Sequence, residues 1–276
     1  MNPFIEDSGL PLEMIARSKT SSIEPWLLAE PSVNLLLTSF DKATTPNHIF
    51  INEHKAILKF YKGFQSIYTD GSKKDEKVGA AASWEYGALK TRLPDHSTVF
   101  NAEAVALISA MKIAQVSHLK RFIVFTDSLS CIESIQNEDL KNPHILEFLR
   151  LYTSCIRRRK TVILCWVPGH VGIPGNEKVD RLAKDALNEE ISPLIKLHYT
   201  DLLPKVKEYF SSIWQDIWST TTDLLSNYAP DIKPKLFSEG IGRKAQVVLS
   251  RVRIGHTNLT HVHIIIKEDT VSNLRG

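Results

Sequence analysis

Four acidic side chains stand in a pattern suited to holding divalent cations. Asp70 lies in Ile67-Tyr68-Thr69-Asp70-Gly71-Ser72, and Glu103 in Asn101-Ala102-Glu103-Ala104. Asp127 lies in Phe125-Thr126-Asp127-Ser128, and Asp180 in Asn176-Glu177-Lys178-Val179-Asp180. Each ends an apolar run or falls on an early turn of a helix-like segment, so the four can converge on one point. Mg²⁺ is a hard ion that prefers carboxylate, phosphate and water oxygens. Two such ions roughly 3.5–4 Å apart activate a water and stabilise the leaving oxygen of an in-line displacement. Three or four carboxylates from different elements meet that need, and crowding them without metal costs repulsion and raises their pKa values. Taken singly, Asp127 reads equally well as a helix N-cap and Glu103 as a solvated helix residue. The four together, in this order, point to phosphodiester cleavage.

His170 belongs with them. It sits in Trp166-Val167-Pro168-Gly169-His170-Val171-Gly172-Ile173-Pro174-Gly175-Asn176, where two prolines and three glycines imply an exposed loop. A histidine there can shuttle a proton or help release product.

The elements that must position these residues follow from the apolar periods. Ser66 to Thr69 reads as a strand entering Asp70. Val78 to Glu85 and Ala88 to Leu93 read as two more strands, with Tyr86-Gly87 at the turn. Phe100 to Gln115 has helical spacing. Arg121 to Thr126 reads as a strand buried on both faces, as in a parallel sheet. Asp127 to Gln136 and Pro143 to Arg158 read as helices, with Pro143 in a first turn. Thr161 to Val167 reads as a strand and Pro174 to Asn188 as a helix. The order β-β-β-α-β-α-α-β-α predicts an α/β fold, a mixed sheet with flanking helices. Asp70 and Asp127 then fall just after strands, at the carboxyl edge where such sheets bind ligands.

Residues 1–62 read as a linker or the remnant of an upstream region, 63–190 as the patterned domain and 191–276 as a helical C-terminal region. In the last, Leu202, Leu203, Val206, Phe210, Ile213, Trp214 and Ile217 mark an amphipathic helix, and Ala245 to Ile254 a second. The length, 276 residues, suits one domain with flanks or two small ones, and the 43% apolar fraction excludes wholesale disorder. The net charge of +3 is compatible with nucleic acid without arguing for it. Three scattered cysteines suit a reducing compartment and match no zinc spacing. With no apolar run of about 20 residues and no signal-like N-terminus, the expectation is an intracellular protein, nuclear or cytoplasmic, not secreted and without membrane contact.

The four acidic stretches and the Trp-Val-Pro-Gly-His loop together resemble type 1 ribonuclease H over residues 63 to 190. The resemblance implies a five-stranded mixed sheet with flanking helices. It also implies cutting of the RNA strand of RNA–DNA hybrids with two Mg²⁺, for which Mn²⁺ may substitute. By match, Asp70, Glu103, Asp127 and Asp180 would ligate metal and His170 would be the loop histidine. Tyr68-Thr69-Asp70-Gly71-Ser72-Lys73 and Arg251 to His261 further resemble the ribonuclease H region of arthropod non-LTR retrotransposon polyproteins, which implies a reverse transcriptase encoded upstream. The alternative is a catalytically silent nucleic-acid-binding remnant of such a polyprotein. An integrase-like DNA-cutting enzyme fits less well, because of the loop histidine and the fourth acid.

Hybrid duplexes display 2′-hydroxyls in a wide, shallow minor groove. The amides of Gly71 and Ser72, and Asn101 beside Glu103, are candidate contacts to them. The stretch from Gln136 to Pro143 is too short for the basic handle of some relatives, so Arg157, Arg158, Arg159 and Lys160 are candidate phosphate contacts. Their other reading is a solvated turn. His256, His261 and His263 lack the cysteines or fourth ligand of a metal site.

Overall fold

The computed structural model describes residues 24–220, 231 and 242–253. Its sheet has six strands: β1 (Ser32–Asn34), β2 (Gln65–Lys74), β3 (Lys77–Trp84), β4 (Gly87–Leu93), β5 (Arg121–Thr126) and β6 (Thr161–Trp166). Their spatial order is β1-β6-β5-β2-β3-β4. The first four in that order run parallel, and β3 is antiparallel to both β2 and β4. The helices are α1 (Asn47–Phe60), α2 (Val99–Val116), α3 (Leu129–Gln136), α4 (Pro143–Arg157), α5 (Pro174–Asp185), α6 (Tyr199–Thr220) and α7 (Arg243–Arg253). The predicted mixed sheet with flanking helices and the helical C-terminal region are therefore present.

The strands of the sheet's middle are buried on both faces, and alternate residues divide between two cores. Ile67, Phe122, Val124, Val162 and Leu164 pack with Leu107, Met111, Phe148 and Tyr152 of α2 and α4. Ile123, Phe125 and Cys165 pack with Phe50 and Ile57 of α1 and with Val167, Val171 and Ile173 of the following loop. Helix α2 is long and apolar enough to pass for a membrane span, but 72% of it is buried in this fold.

Two expectations need correction. The segment up to residue 62 is not a linker over its described part. β1 extends the sheet beyond the expected five strands by pairing with β6, Ser32 against Ile163. α1 then covers the β5–β6 face, turning inward Phe50, His54 and Ile57, the i, i+4, i+7 stripe of an amphipathic helix. Residues 1–23 lie outside the described ones. The second correction concerns Asp70, which is not past the end of its strand. β2 runs on to Lys74, and Asp70 pairs with Ala81 of β3 inside the ladder.

The chain divides into compact units at Leu203/Pro204. Beyond that point α6 keeps Phe210, Ile213, Trp214 and Ile217 substantially exposed. The histidines at 256, 261 and 263 lie outside the described residues.

Candidate active site

The register of the sheet sets the site. Thr69 of β2 faces Thr126 of β5, so Asp70 and Asp127 are the next residues of two parallel neighbours. The Thr69 hydroxyl donates to the Phe125 carbonyl at 3.1 Å, tying the strands together there. On the other side the Val167 N–H donates to the Thr126 carbonyl at 3.0 Å and the Trp166 indole N–H to the Asp127 carbonyl at 3.1 Å. Asp127 is not a helix cap, since α3 begins at Leu129 after Ser128, with no side-chain cap.

Glu103 arrives from α2. Gly71 lets that helix press on β2, because a Cβ there would lie 2.7 Å from the Glu103 nitrogen and 2.9 Å from the Ala102 Cβ. Glycine is the one residue that fits such a contact. The result is three carboxylates, Asp70, Glu103 and Asp127, each offering an oxygen within 4.8 Å of the others. Of the predicted quartet, these three meet. Asp180, on α5, is grouped instead with His170 and Glu177, again within 4.8 Å of one another. Its Oδ2 accepts from Lys184 Nζ at 2.7 Å.

The electrostatics are those of buried carboxylates crowded together. Burial, then the charges of Asp127 and Asp180, push Asp70 up to about 7. Burial raises Glu103 well above the usual carboxylate range, and Asp70 and Asp127 raise it further. Asp127 is also raised by burial, against lowering by an Asn176 hydrogen bond, its own backbone N–H, His170 and Lys42. The Gly71 amide donates toward both Asp70 and Glu103. Among the described residues, Glu103 Oε2 is nonetheless buried without a hydrogen-bond partner. A buried unpartnered carboxylate oxygen facing two other carboxylates is costly, and a hard divalent cation is the group that would satisfy it. The donor set therefore fits Mg²⁺ or Mn²⁺.

His170 is exposed and takes a left-handed backbone, φ 59°. Its loop is held on both sides. The Gly172 N–H donates to Glu177 Oε1 at 3.2 Å, and Gly169 lies so close to Asp127 that a Cβ would collide with Oδ2. At the start of α5 a Cβ on Gly175 would collide with the Tyr68 ring. That ring stacks on Phe125 with centroids 4.8 Å apart, and its hydroxyl bonds His54 Nε2 at 3.0 Å. Burial pushes His54 down to about 4, so it is neutral at physiological pH. Asn176, Glu177 and His54 were not among the residues singled out from the sequence. Asn176 and Glu177 lie within the quoted loop motif, whereas nothing local marks His54.

Several expected substrate contacts are not available as such. Asn101 is fully buried: its amide donates to Asp201 Oδ1 at 2.7 Å and its carbonyl accepts from Asn142 at 3.1 Å. It faces protein and cannot reach a hybrid. The Gly71 amide serves the carboxylates, and Ser72 is half-buried opposite Gly79 in the β2–β3 ladder. Lys160 is buried, and its ammonium donates to the carbonyls of Ala114, Gln115 and Ser117, capping the end of α2. Arg157 donates to the Leu27 carbonyl at 3.5 Å. The 157–160 turn leads into the start of β6, at the opposite end of the parallel strands from Asp127.

Residues 64–188 match the family model described as RNase H. Over that stretch the chain is similar to RNase H. The chain is 27% identical over 145 residues to Ribonuclease H1 of Homo sapiens, covering 46% of this chain and 51% of that protein. It is 32% identical over 127 residues to the Pol polyprotein of Equine infectious anemia virus (isolate 1369), covering 46% of this chain and 10% of that protein. The chain thus spans about half the length of the first relative and a tenth of the second. β1 and α1 precede the matched RNase H stretch and the 191–203 segment follows it, yet all belong to the same compact unit.

Proposed function

We propose that this chain is a metal-dependent endoribonuclease that hydrolyses the RNA strand of RNA–DNA hybrids by a two-metal mechanism. The observation that carries the proposal is the Asp70–Glu103–Asp127 cluster, within 4.8 Å and with the buried, unpartnered Glu103 Oε2. The similarity of residues 64–188 to RNase H supports an RNA–DNA hybrid as the substrate class. Asp70, Glu103 and Asp127 would hold one Mg²⁺ or Mn²⁺, and Asp180 would share in holding a second. Bound there, the ions would supply an activated water and charge stabilisation for the leaving oxygen. The residues of the chain do the rest. Gly71 and Gly169 set the separation of the carboxylates, while Asn176 holds Asp127 by a side-chain hydrogen bond. His170, exposed beside Glu177 and Asp180, is placed to exchange protons with solvent as product leaves. The setting we propose is intracellular, with a reverse transcriptase encoded upstream as in retrotransposon polyproteins.

The test is cleavage of a labelled RNA–DNA hybrid by the purified chain with Mg²⁺, Mn²⁺ or EDTA, beside duplex DNA of the same sequence. Metal-dependent cutting of the RNA strand alone supports the proposal. A folded protein that binds hybrid and cuts nothing in either metal would overturn it in favour of a nucleic-acid-binding remnant.

A further inference from the structure

The RNase H match ends at residue 188, but the chain stays with the sheet. The Ser192 N–H donates to the Arg92 carbonyl at 2.9 Å, and Ile191 forms a bridge with Arg92 alongside β4. The chain then reaches Asp201, in the first turn of α6, whose side chain is 2% exposed. Asp201 Oδ1 accepts from the Thr98 backbone N–H at 2.8 Å and from the Asn101 amide at 2.7 Å. Oδ2 accepts from the His198 N–H at 3.1 Å. Asn101 passes the contact on to Asn142, whose Oδ1 caps α4 by accepting from the N–H groups of His144 and Ile145. One buried carboxylate thus links the first turns of α2, α4 and α6.

Its place on α2 matters most. Thr98 is the N-cap of that helix and Asn101 lies in its first turn, two residues before Glu103. A carboxylate at a helix N-terminus meets the positive end of the dipole, and bonds from N–H donors to a charged acceptor are the strong kind. The restraint is needed because Glu103 is buried facing two other carboxylates. Without metal, their repulsion acts on the start of α2, and Asp201 holds that start from outside the matched domain.

We propose that Asp201 is a positioning residue for the metal site: by fixing the first turn of α2 it keeps Glu103 within reach of Asp70 and Asp127. The inference rests on reading Glu103 as a metal ligand. It makes the 189–203 segment a working part of the centre.

The experiment is Mn²⁺ titration of the full chain followed by electron paramagnetic resonance of free Mn²⁺, with thermal unfolding measured alongside. The variants are Asp201→Ala, Asp201→Asn and, as a stability control far from α2, Phe50→Ala. Partners behind metal ligands typically contribute about 10–100-fold in affinity, so Asp201→Ala should weaken Mn²⁺ binding by about tenfold or more. Asp201→Asn keeps one acceptor oxygen for Thr98 and Asn101 and should fall between. Phe50→Ala should bind Mn²⁺ like wild type while it melts lower. Should Asp201→Ala fail to fold, Asp201→Asn carries the comparison alone. Lower melting with wild-type Mn²⁺ affinity in the folded Asp201 variants would overturn the proposal and leave a mere fold clamp. Absence of Mn²⁺ uptake by the wild-type chain would sink the metal reading itself, and this inference with it.

Discussion

Replacing Asp70 with Asn should stabilise the metal-free protein, by an amount that grows with pH. Burial and the charges of Asp127 and Asp180 hold the folded carboxyl at about 7, against an ordinary 3.8. Between those values the folded protein binds more protons than the unfolded chain, so stability falls as pH rises and levels off above about pH 7. Carrying both values through the linkage relation gives a loss of about 2–3 kcal/mol between pH 5 and pH 8 from this one group. Asn has no proton to release and also removes part of the repulsion on Glu103. Urea unfolding in EDTA at several pH values, wild type against Asp70→Asn, measures the difference. The stability advantage of the variant should be about 2–3 kcal/mol larger at pH 8 than at pH 5. Saturating Mg²⁺ should then narrow or reverse it, because bound ligand stabilises only the protein that binds it. Equal pH slopes for the two proteins in EDTA would refute the idea that these carboxylates are crowded and unneutralised.

Other outcomes follow from single contacts. Gly169→Ala should cut cleavage at least about tenfold with little change in melting temperature, because the new Cβ displaces the Asp127 carboxylate rather than core; steady-state kinetics with melting curves will show it. Phe50→Ala should cost about 3–5 kcal/mol in urea unfolding; a cost near zero would mean that α1 is not part of the core. Tyr68→Phe, which leaves neutral buried His54 without its 3.0 Å partner, should cost about 1 kcal/mol by the same assay. Ca²⁺ should support hybrid binding in a filter assay but not cutting, being larger and less demanding in geometry.

The candidate acidic residues were legible because they end apolar runs or lie on early turns of helices, and such positions show in one dimension. What escaped depended on partners far along the chain. Gly71-Ser72-Lys73-Lys74 reads as the turn after a strand, but pairing with β3 carries β2 through it, so Asp70 sits within the ladder. α1 escaped because His54 interrupts its apolar stripe, and it takes Tyr68 and Phe125 of distant strands to make that histidine a core residue. The three residues of β1 are too few for a period to register. Asn101 and Lys160 looked like surface groups for nucleic acid. They are spent on Asp201, 100 positions away, and on three carbonyls at the end of α2. The acid–His loop was visible as a motif, but the split of the quartet into three carboxylates and a separate His170–Glu177–Asp180 group is a matter of tertiary distance.

The seat of Gly175 on the Tyr68 ring reaches beyond this one chain. That ring touches β5 through Phe125 and α1 through His54, and its own strand carries Asp70. The helix whose first turn holds Gly175 carries Asp180. Any descendant sequence that enlarges position 175 must shrink position 68 in compensation, or the helix will lift from the sheet and take its acid along. Across related chains the two positions are therefore expected to drift as a pair, a large side chain at one matched by a small one at the other.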